Sequence, residues 1–302
     1  MSSTVSSPGR SSVIGVDVGG TKIAVGIVDA DARMSRIVRV PTPVGQGPAA
    51  IVAAIAEAIG ALHADDLAVA GVGVSTGGIV DPRSGRILAA TDVLDGWAGR
   101  SLADELSSLV QLPVTVDNDG NAFAVAQIRL GMIHGTVLCV SVGTGIGGGL
   151  VVAGRLHRGT RYAAGEYGHL PYDTDRRCSC GLPGHVEAVA AGPALTEEYH
   201  RRGGRALTLP AAVQAGDPLA ADVVDEGGHA LGTALAGVAW ALDADRVLLG
   251  GGVARVGAML LEPLRNGLNG RLAHGRSIPV DLGRGGPDAT LIGAAGLVSG
   301  WS

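Results

Sequence analysis

Two stretches of one design constrain this chain more than anything else in it. Residues 13–18 (Val-Ile-Gly-Val-Asp-Val) read as a strand, Gly19, Gly20, Thr21 and Lys22 as a sharp turn, and residues 23–28 as the returning strand. Residues 136–142 repeat the pattern, running into the glycine-rich tip 143–149 and back out through 150–153. Neither tip is a common phosphate loop. From Gly15 to Lys22 the order is Gly-x4-Gly-Thr-Lys and a strand follows, whereas a Walker A loop needs Gly-x4-Gly-Lys-[Ser/Thr] and leads into a helix. Residues 143–148 match Gly-x-Gly-x-x-Gly, but that fingerprint signals a dinucleotide only when a helix follows the strand, and here a strand follows. What survives is a hairpin whose backbone N–H groups, with the Thr21 hydroxyl, can cradle phosphate oxygens while Asp17 faces a hydrated magnesium ion. A plain tight turn accounts for the same residues. As a pair, the hairpins suggest two related halves facing one nucleotide.

The length of 302 residues allows one or two domains. With 50 glycines and 46% hydrophobic residues, the chain reads as a globular α/β protein rich in tight strand-to-helix turns. A formal net charge of −5 offers no Lys/Arg excess, which argues against nucleic acid or an anionic membrane as the main partner and favours small molecules. Three cysteines make no disulfide framework, and no apolar stretch approaches a membrane span or secretory core, so a cytoplasmic location is expected. Residues 1–12 read as a flexible tail.

Strands and helices then alternate. Ile51, Ile55, Ile59 and Leu62 recur at helical spacing after Pro48, and the apolar run 68–74 ends in Ser75-Thr-Gly-Gly78. Ser101-Leu-Ala-Asp104 resembles a capping box, opening a helix with Leu102, Leu106 and Leu109 on one face. The strand 113–117 delivers Asn118 and Asp119 to its tip, where Asp119 is either a cap or part of a polar cluster with Asn118 and Asn121. Further on, Gly192-Pro193 and Asp217-Pro218 start helices, the strand 246–249 turns through Gly250, Gly251 and Gly252, and residues 288–297 form a closing helix.

The least ordinary stretch is Glu166-Tyr-Gly-His169 followed by Cys178-Ser-Cys180-Gly-Leu-Pro-Gly-His185-Val-Glu187. His169, Cys178, Cys180 and His185 supply the four ligands of a tetrahedral structural zinc, and Gly181 and Gly184 allow a knuckle that turns His185 back toward the cysteines. Reduced thiols beside hydrogen-bonded histidines are the plainer alternative.

Taken together, Asp17-x-Gly-Gly-Thr-Lys22, Asn118-Asp119, Gly143-Thr-Gly-x-Gly-Gly-Gly149, Glu166-x-Gly-His169, Cys178-x-Cys-Gly-x-x-Gly-x-x-Glu187 and Gly250-Gly-Gly252 resemble, in order, the motifs of the ROK family of sugar kinases and repressors. The resemblance runs from about residue 13 to the end. It implies an α/β, two-domain actin-like ATPase (ribonuclease H-like) fold with an interdomain cleft: residues 13–118 plus 288–302 as a small domain, and 119–287 as a large one holding the knuckle. It implies ATP-dependent phosphorylation of a hexose on its primary hydroxyl, glucose leading, with ATP, Mg2+ and a structural Zn2+ as cofactors, and assembly as a homodimer or homotetramer. By the same resemblance, Asp17, Gly19, Gly20, Thr21 and Lys22, with Thr144 and Gly145, hold the phosphates, and Gly251 and Gly252 flank the adenosine. Asp119 is the catalytic base; Asn118, Glu166, His169 and Glu187 hold the sugar's hydroxyls, with Gly78 lining the same pocket.

The chain departs from the family pattern at several positions. His185 stands where a third cysteine is usual, Gly120 where alanine is frequent, Gln127 where glutamate is, and Ser75-Thr-Gly-Gly78 where a proline is common. These leave the sugar open, with N-acetylhexosamine, fructose and cyclitol as alternatives to glucose. The competing class is a non-catalytic sugar sensor or repressor. Only 16 residues precede Asp17, too few for a winged helix-turn-helix, and Asp119, which a pure sensor does not need, is present.

Overall fold

The computed structural model describes residues 12–62 and 68–298. The chain divides into two compact units, Met1–Leu130 with Asp288–Ser302, and Gly131–Pro287. The first unit contains β1 (Ser12–Val18), β2 (Lys22–Val28), β3 (Met34–Pro41), α1 (Pro48–Gly60), β4 (Val69–Thr76), β5 (Ile79–Asp81), β6 (Arg86–Ala89), α2 (Leu102–Val110), β7 (Val114–Asn118) and α3 (Asp119–Arg129). The second contains β8 (Val137–Val142), β9 (Ile146–Val152), β10 (Arg155–His157), α4 (Glu187–Ala190), α5 (Gly192–Arg201), α6 (Leu209–Gln214), α7 (Pro218–Ala241), β11 (Arg246–Gly250), α8 (Ala258–Asn269) and β12 (Val280–Leu282). The chain returns to the first unit in α9 (Ala289–Ala295).

The two sheets share one topology. In the first unit an antiparallel meander, β1-β2-β3, is extended on the far side of β1 by the parallel strands β4 and β7, giving the order β3-β2-β1-β4-β7. In the second, β8-β9-β10 form the meander and β11 and β12 the parallel extension, giving β10-β9-β8-β11-β12. The repetition expected from the two glycine hairpins therefore extends to whole sheets. Each has its own core. Ile14, Val16 and Val25 pack with Ile51, Ile55 and Trp97 in the first unit, and Leu138, Val140 and Leu249 with Leu231, Leu235 and Leu264 in the second. Fully burying one such side chain contributes about 1.5–3 kcal/mol.

Close backbone packing explains much of the glycine content. A Cβ at Gly73 would overlap the carbonyl of Ala294, and one at Gly293 the carbonyl of Ala122, so α9 lies directly on β4 and α3 directly on α9. This moves the domain boundary expected at 118/119 to 130/131: α3 stays with the first sheet because α9 holds it there. Ser12, expected in the tail, is the first residue of β1; the rest of that expected tail lies outside the described residues. Two local expectations also fail. Ser101 makes no side-chain cap, and Leu109 is 58% exposed, whereas Leu102 and Leu106 are buried and Ala103 and Val110 pack against the core. Among the described residues no helix is long and apolar enough to cross a membrane.

Candidate active site

The parallel strands β1, β4 and β7 end at one edge, and their register sets the first group of site residues in rows. Asp17 lies opposite Ser75 and Ser75 opposite Asp117; in the next row Val18, Thr76 and Asn118 are neighbours. Ser75 Oγ donates to Asp17 Oδ1 at 2.9 Å and approaches the Val16 carbonyl at 3.2 Å. Asp17 keeps an opening to solvent at the strand end, yet its surroundings are mostly protein. Burial pushes its carboxyl above the ordinary range, only partly offset by the hydroxyls of Ser75 and Thr290 and the charge of Lys22. The adjoining turn closes with Gly19 N–H on the Lys22 carbonyl at 3.0 Å. Thr42 braces it from the end of β3, donating from Oγ1 to the Gly19 carbonyl at 2.6 Å and from N–H to the Thr21 carbonyl at 3.1 Å. Thr21 and Lys22 remain exposed at the tip, and a Cβ at Gly20 would overlap the Val93 side chain.

At the β7–α3 junction the cap is Asn118. Its Oδ1 accepts from Gly120 N at 2.8 Å and Asn121 N at 3.2 Å, and its Nδ2 donates to the Gly78 carbonyl at 2.8 Å. Both lone pairs of that oxygen are then used, so toward a ligand Asn118 has one N–H left to give. Gly78 adopts φ +101° and comes so close to Ala89 that a side chain would overlap its carbonyl. Asp119 is the first residue of α3, exposed, with Oδ1 accepting from Gly120 N at 2.9 Å. A carboxylate at a helix N-terminus is stabilised by the unpaired N–H groups there.

The second unit's hairpin tip is built differently. Gly143 N–H closes on the Gly145 carbonyl at 2.9 Å, and Gly192 N–H, at the start of α5, donates to the Gly143 carbonyl at 2.9 Å. Beside the tip is a cavity of about 380 Å³ in which Thr144 and Gly252 meet Pro193, Thr196, Leu209 and Val253. Gly145 and Gly251 do not line it. Gly145 backs onto Glu187, whose Oε2 a Cβ would approach to 2.8 Å, and Gly251, at φ +87°, passes over the backbone of Val142. In the sequence Gly192-Pro193 signals only a helix start, and no local pattern marks Thr196, Leu209 or Val253 as site residues.

The knuckle brings all four expected ligands together. His169 Nδ1 lies 3.4 Å from His185 Nδ1 and 3.6 Å from Cys178 Sγ, and Cys180 Sγ lies 3.3 Å from His185 Nδ1. All four ligand atoms fall within 4.8 Å of one another. A tetrahedron with metal–nitrogen bonds of about 2.05 Å and metal–sulfur bonds of about 2.3 Å has edges of about 3.3–3.8 Å, which the three contacts of 3.3–3.6 Å match, and two thiols with two imidazoles are the donor chemistry of a zinc site. Gly181 and Gly184, both at positive φ, turn the chain, and Cys178 N–H closes it on the Leu182 carbonyl at 2.9 Å. His169 Nε2, on the far side of its ring, faces Glu166 Oε2 at 3.6 Å. Burial raises the Glu166 carboxyl, against the lowering pull of His169.

Glu187, the first residue of α4, is buried. It accepts from Ser179 Oγ at 2.5 Å and Ile146 N at 2.9 Å, with Cys178 Sγ at 3.1 Å. Burial pushes its carboxyl up, but the bonds from the Ser179 hydroxyl and the Ile146 N–H lead the opposing influences, which hold the group below the ordinary range. The structure thus groups Asp17, the first tip, Gly78, Asn118 and Asp119 in one unit, and Thr144, Gly252, Glu166, His169, the knuckle and Glu187 in the other.

The ROK family model matches residues 13–300, and the chain belongs to that family. It shares the family's actin-like ATPase fold. A glucokinase of Streptomyces coelicolor is 34% identical, over 94% of this chain and 96% of its own. A ROK glucokinase from Streptomyces griseus, solved in complex with glucose and AMPPNP, superimposes with a TM-score of 0.85 at 33% identity, covering 95% of this chain and 99% of its own. A ROK hexokinase from Thermus thermophilus follows at 35% identity and a TM-score of 0.78, over 95% and 97%.

Proposed function

We propose that the protein transfers the γ-phosphoryl group of ATP to the primary hydroxyl of a hexose, with glucose the leading substrate. The observation that carries this reading is the sheet edge of the first unit, where the Asp17 hairpin and the exposed carboxyl of Asp119 lie at the ends of β1 and β7, the parallel strands on either side of β4. The similarity to glucokinases over nearly the whole chain supports it. Phosphoryl transfer asks the protein for positioning and charge neutralisation, with one group to take the hydroxyl's proton. Asp119 takes that proton. Thr21 and the backbone N–H groups of the first tip hold phosphate oxygens, Asp17 holds magnesium, which neutralises phosphate charge when bound, and Thr144 and Gly252 hold the nucleoside in the apolar cavity.

Glu166, His169 and Glu187, with the spare N–H of Asn118, hold hydroxyls that do not react. His169, Cys178, Cys180 and His185 would hold a zinc ion that closes the knuckle and fixes the His169 ring, leaving Nε2 for the sugar. With two thiolates and no open position, such a site is structural. A cytoplasmic location and a homodimeric or homotetrameric assembly accompany this reading. The test is ADP release with Mg-ATP across a panel of hexoses, N-acetylhexosamines and cyclitols. Glucose should give the highest kcat/KM; no ADP release with any member of the panel overturns the reading in favour of a sensor.

A further inference from the structure

Asp117 has no part in the reaction as described, yet it is fully buried next to the residues that do. Its Oδ1 accepts from Asn118 N at 2.8 Å and from Asn121 Nδ2 at 2.8 Å. The first bond pins the residue that caps α3 and the second pins the first turn of that helix. Asp119 therefore sits in a short segment, 118–121, tied at both ends to one buried carboxyl group. Asn121 is 2% exposed, and its Oδ1 is buried with no hydrogen-bond partner. An amide that leaves its acceptor unpaired in the interior is costly, and an alanine would avoid that cost. The Asn121 amide therefore has a use beyond filling space, and the bond it makes is to Asp117.

We propose that Asp117 is a positioning residue for phosphoryl transfer: through Asn118 and Asn121 it fixes the helix start that aims the Asp119 carboxyl at the sugar hydroxyl. This rests on the reading of Asp119 as the base. A displacement of about 1 Å at a reacting group can cost about 100-fold in rate, so releasing the segment should act on kcat. A purely structural anchor would show up in stability instead.

The experiment compares Asn121→Ala, Asn121→Asp and the exchange Asp117→Asn with Asn121→Asp, all in the full chain with glucose and Mg-ATP, alongside thermal melts. Asn121→Ala removes both the bond and the orphaned acceptor. Its kcat should fall at least about tenfold with both KM values within about threefold of wild type and no loss of thermal stability. Asn121→Asp sets two acids against each other and should be as slow, and the exchange, which restores an amide facing a carboxyl group, should recover most of kcat. A smaller fall in kcat for Asn121→Ala, or an exchange no faster than Asn121→Asp, overturns the proposal. Should Asn121→Ala fail to fold, the comparison of Asn121→Asp with the exchange decides alone. Asp119→Asn, assayed in parallel, separates the two readings. Wild-type kcat there removes the base assignment itself, whereas an inactive Asp119→Asn beside a fully active Asn121→Ala removes only the role of Asp117.

Discussion

The two glycine hairpins share strands, pairing and place in their sheets, yet only one carries charge. The first holds Asp17 at its base and exposes Thr21 and Lys22 at its tip, braced by Thr42 from β3. The second has no charged residue between Val142 and Ile146, is tied to α5 through Gly192, and borders an apolar cavity. One scaffold thus presents two different tips according to what buttresses them. A strand end with an acid and exposed donors suits phosphates and a hydrated cation, whereas a neutral tip beside apolar side chains suits a nucleoside. Changes at the first sheet edge should therefore act on kcat, and changes in the second unit on KM.

The sharpest test of the kcat half is Asp119→Asn. The substitution keeps the size of the side chain and an acceptor for Gly120 N but cannot take a proton. The expected outcome is a kcat lower by about 10²–10⁴, the usual cost of a lost general base, with glucose affinity retained by calorimetry. If Glu166→Gln abolished turnover while Asp119→Asn did not, the division between the units would be reversed.

Cys180→Ser tests the other half. Replacing one of four ligands should strip the metal, from about one zinc per chain to almost none by elemental analysis, and free the His169 ring. Loss of an orienting metal partner typically costs about 10–100-fold, which should appear in KM for the sugar more than in kcat. Full activity of metal-free protein in Mg-ATP would remove zinc from the account.

Smaller effects separate the tips themselves. A methyl group at Gly145 would press on Glu187 Oε2, the atom that accepts from Ile146 N, whereas at Gly20 it would meet only the side chain of Val93, which is 53% exposed and free to rotate. Gly145→Ala should raise KM for glucose by about fivefold and Gly20→Ala by less than about twofold, as expected for a crowded buried group against a yielding exposed one. Equal effects at the two positions would mean that Glu187 does not touch the sugar.

The hairpins, the helices opened by Pro48, Gly192 and Asp217, and the grouping of His169, Cys178, Cys180 and His185 were legible in the sequence because each depends on local signals: alternation, helix-start residues and the close spacing of Cys and His. Other features depend on contacts far along the chain. The edge strand β3, which leads into Thr42, has no apolar run, with a burial pattern that is mixed along its length. The division at 130/131 follows from Gly293 meeting Ala122, residues that nothing in their own surroundings pairs. At the junction the sequence pointed to a polar cluster and to a carboxyl cap; the cap proved to be the amide of Asn118, which ends β7 in extended backbone with its Oδ1 on the N–H groups of Gly120 and Asn121. Thr196, Leu209 and Val253 border the cavity from three separate elements, which no spacing reveals.

The smallest effect expected is on stability, and it falls on the first tip. Burial raises the Asp17 carboxyl in the folded protein above its ordinary value of 3.8. Below that value the group is protonated both folded and unfolded and has no influence. As pH rises past it the unfolded chain releases the proton first, so the folded state loses stability until the pH has passed the raised folded value, and the loss stays constant beyond. Asp17→Asn carries no such loss while keeping an acceptor for Ser75 Oγ. In magnesium-free buffer its melting temperature should match wild type below the ordinary carboxyl value, exceed it increasingly as pH rises, and level off at a constant margin once the pH has passed the raised folded value. The same variant should lose Mg-ATP turnover, so that the tip which carries the charge is also the one that weakens the empty fold. A melting temperature for Asp17→Asn at or below wild type at neutral pH would show that Ser75, Thr290 and Lys22 stabilise the anion more than burial opposes it.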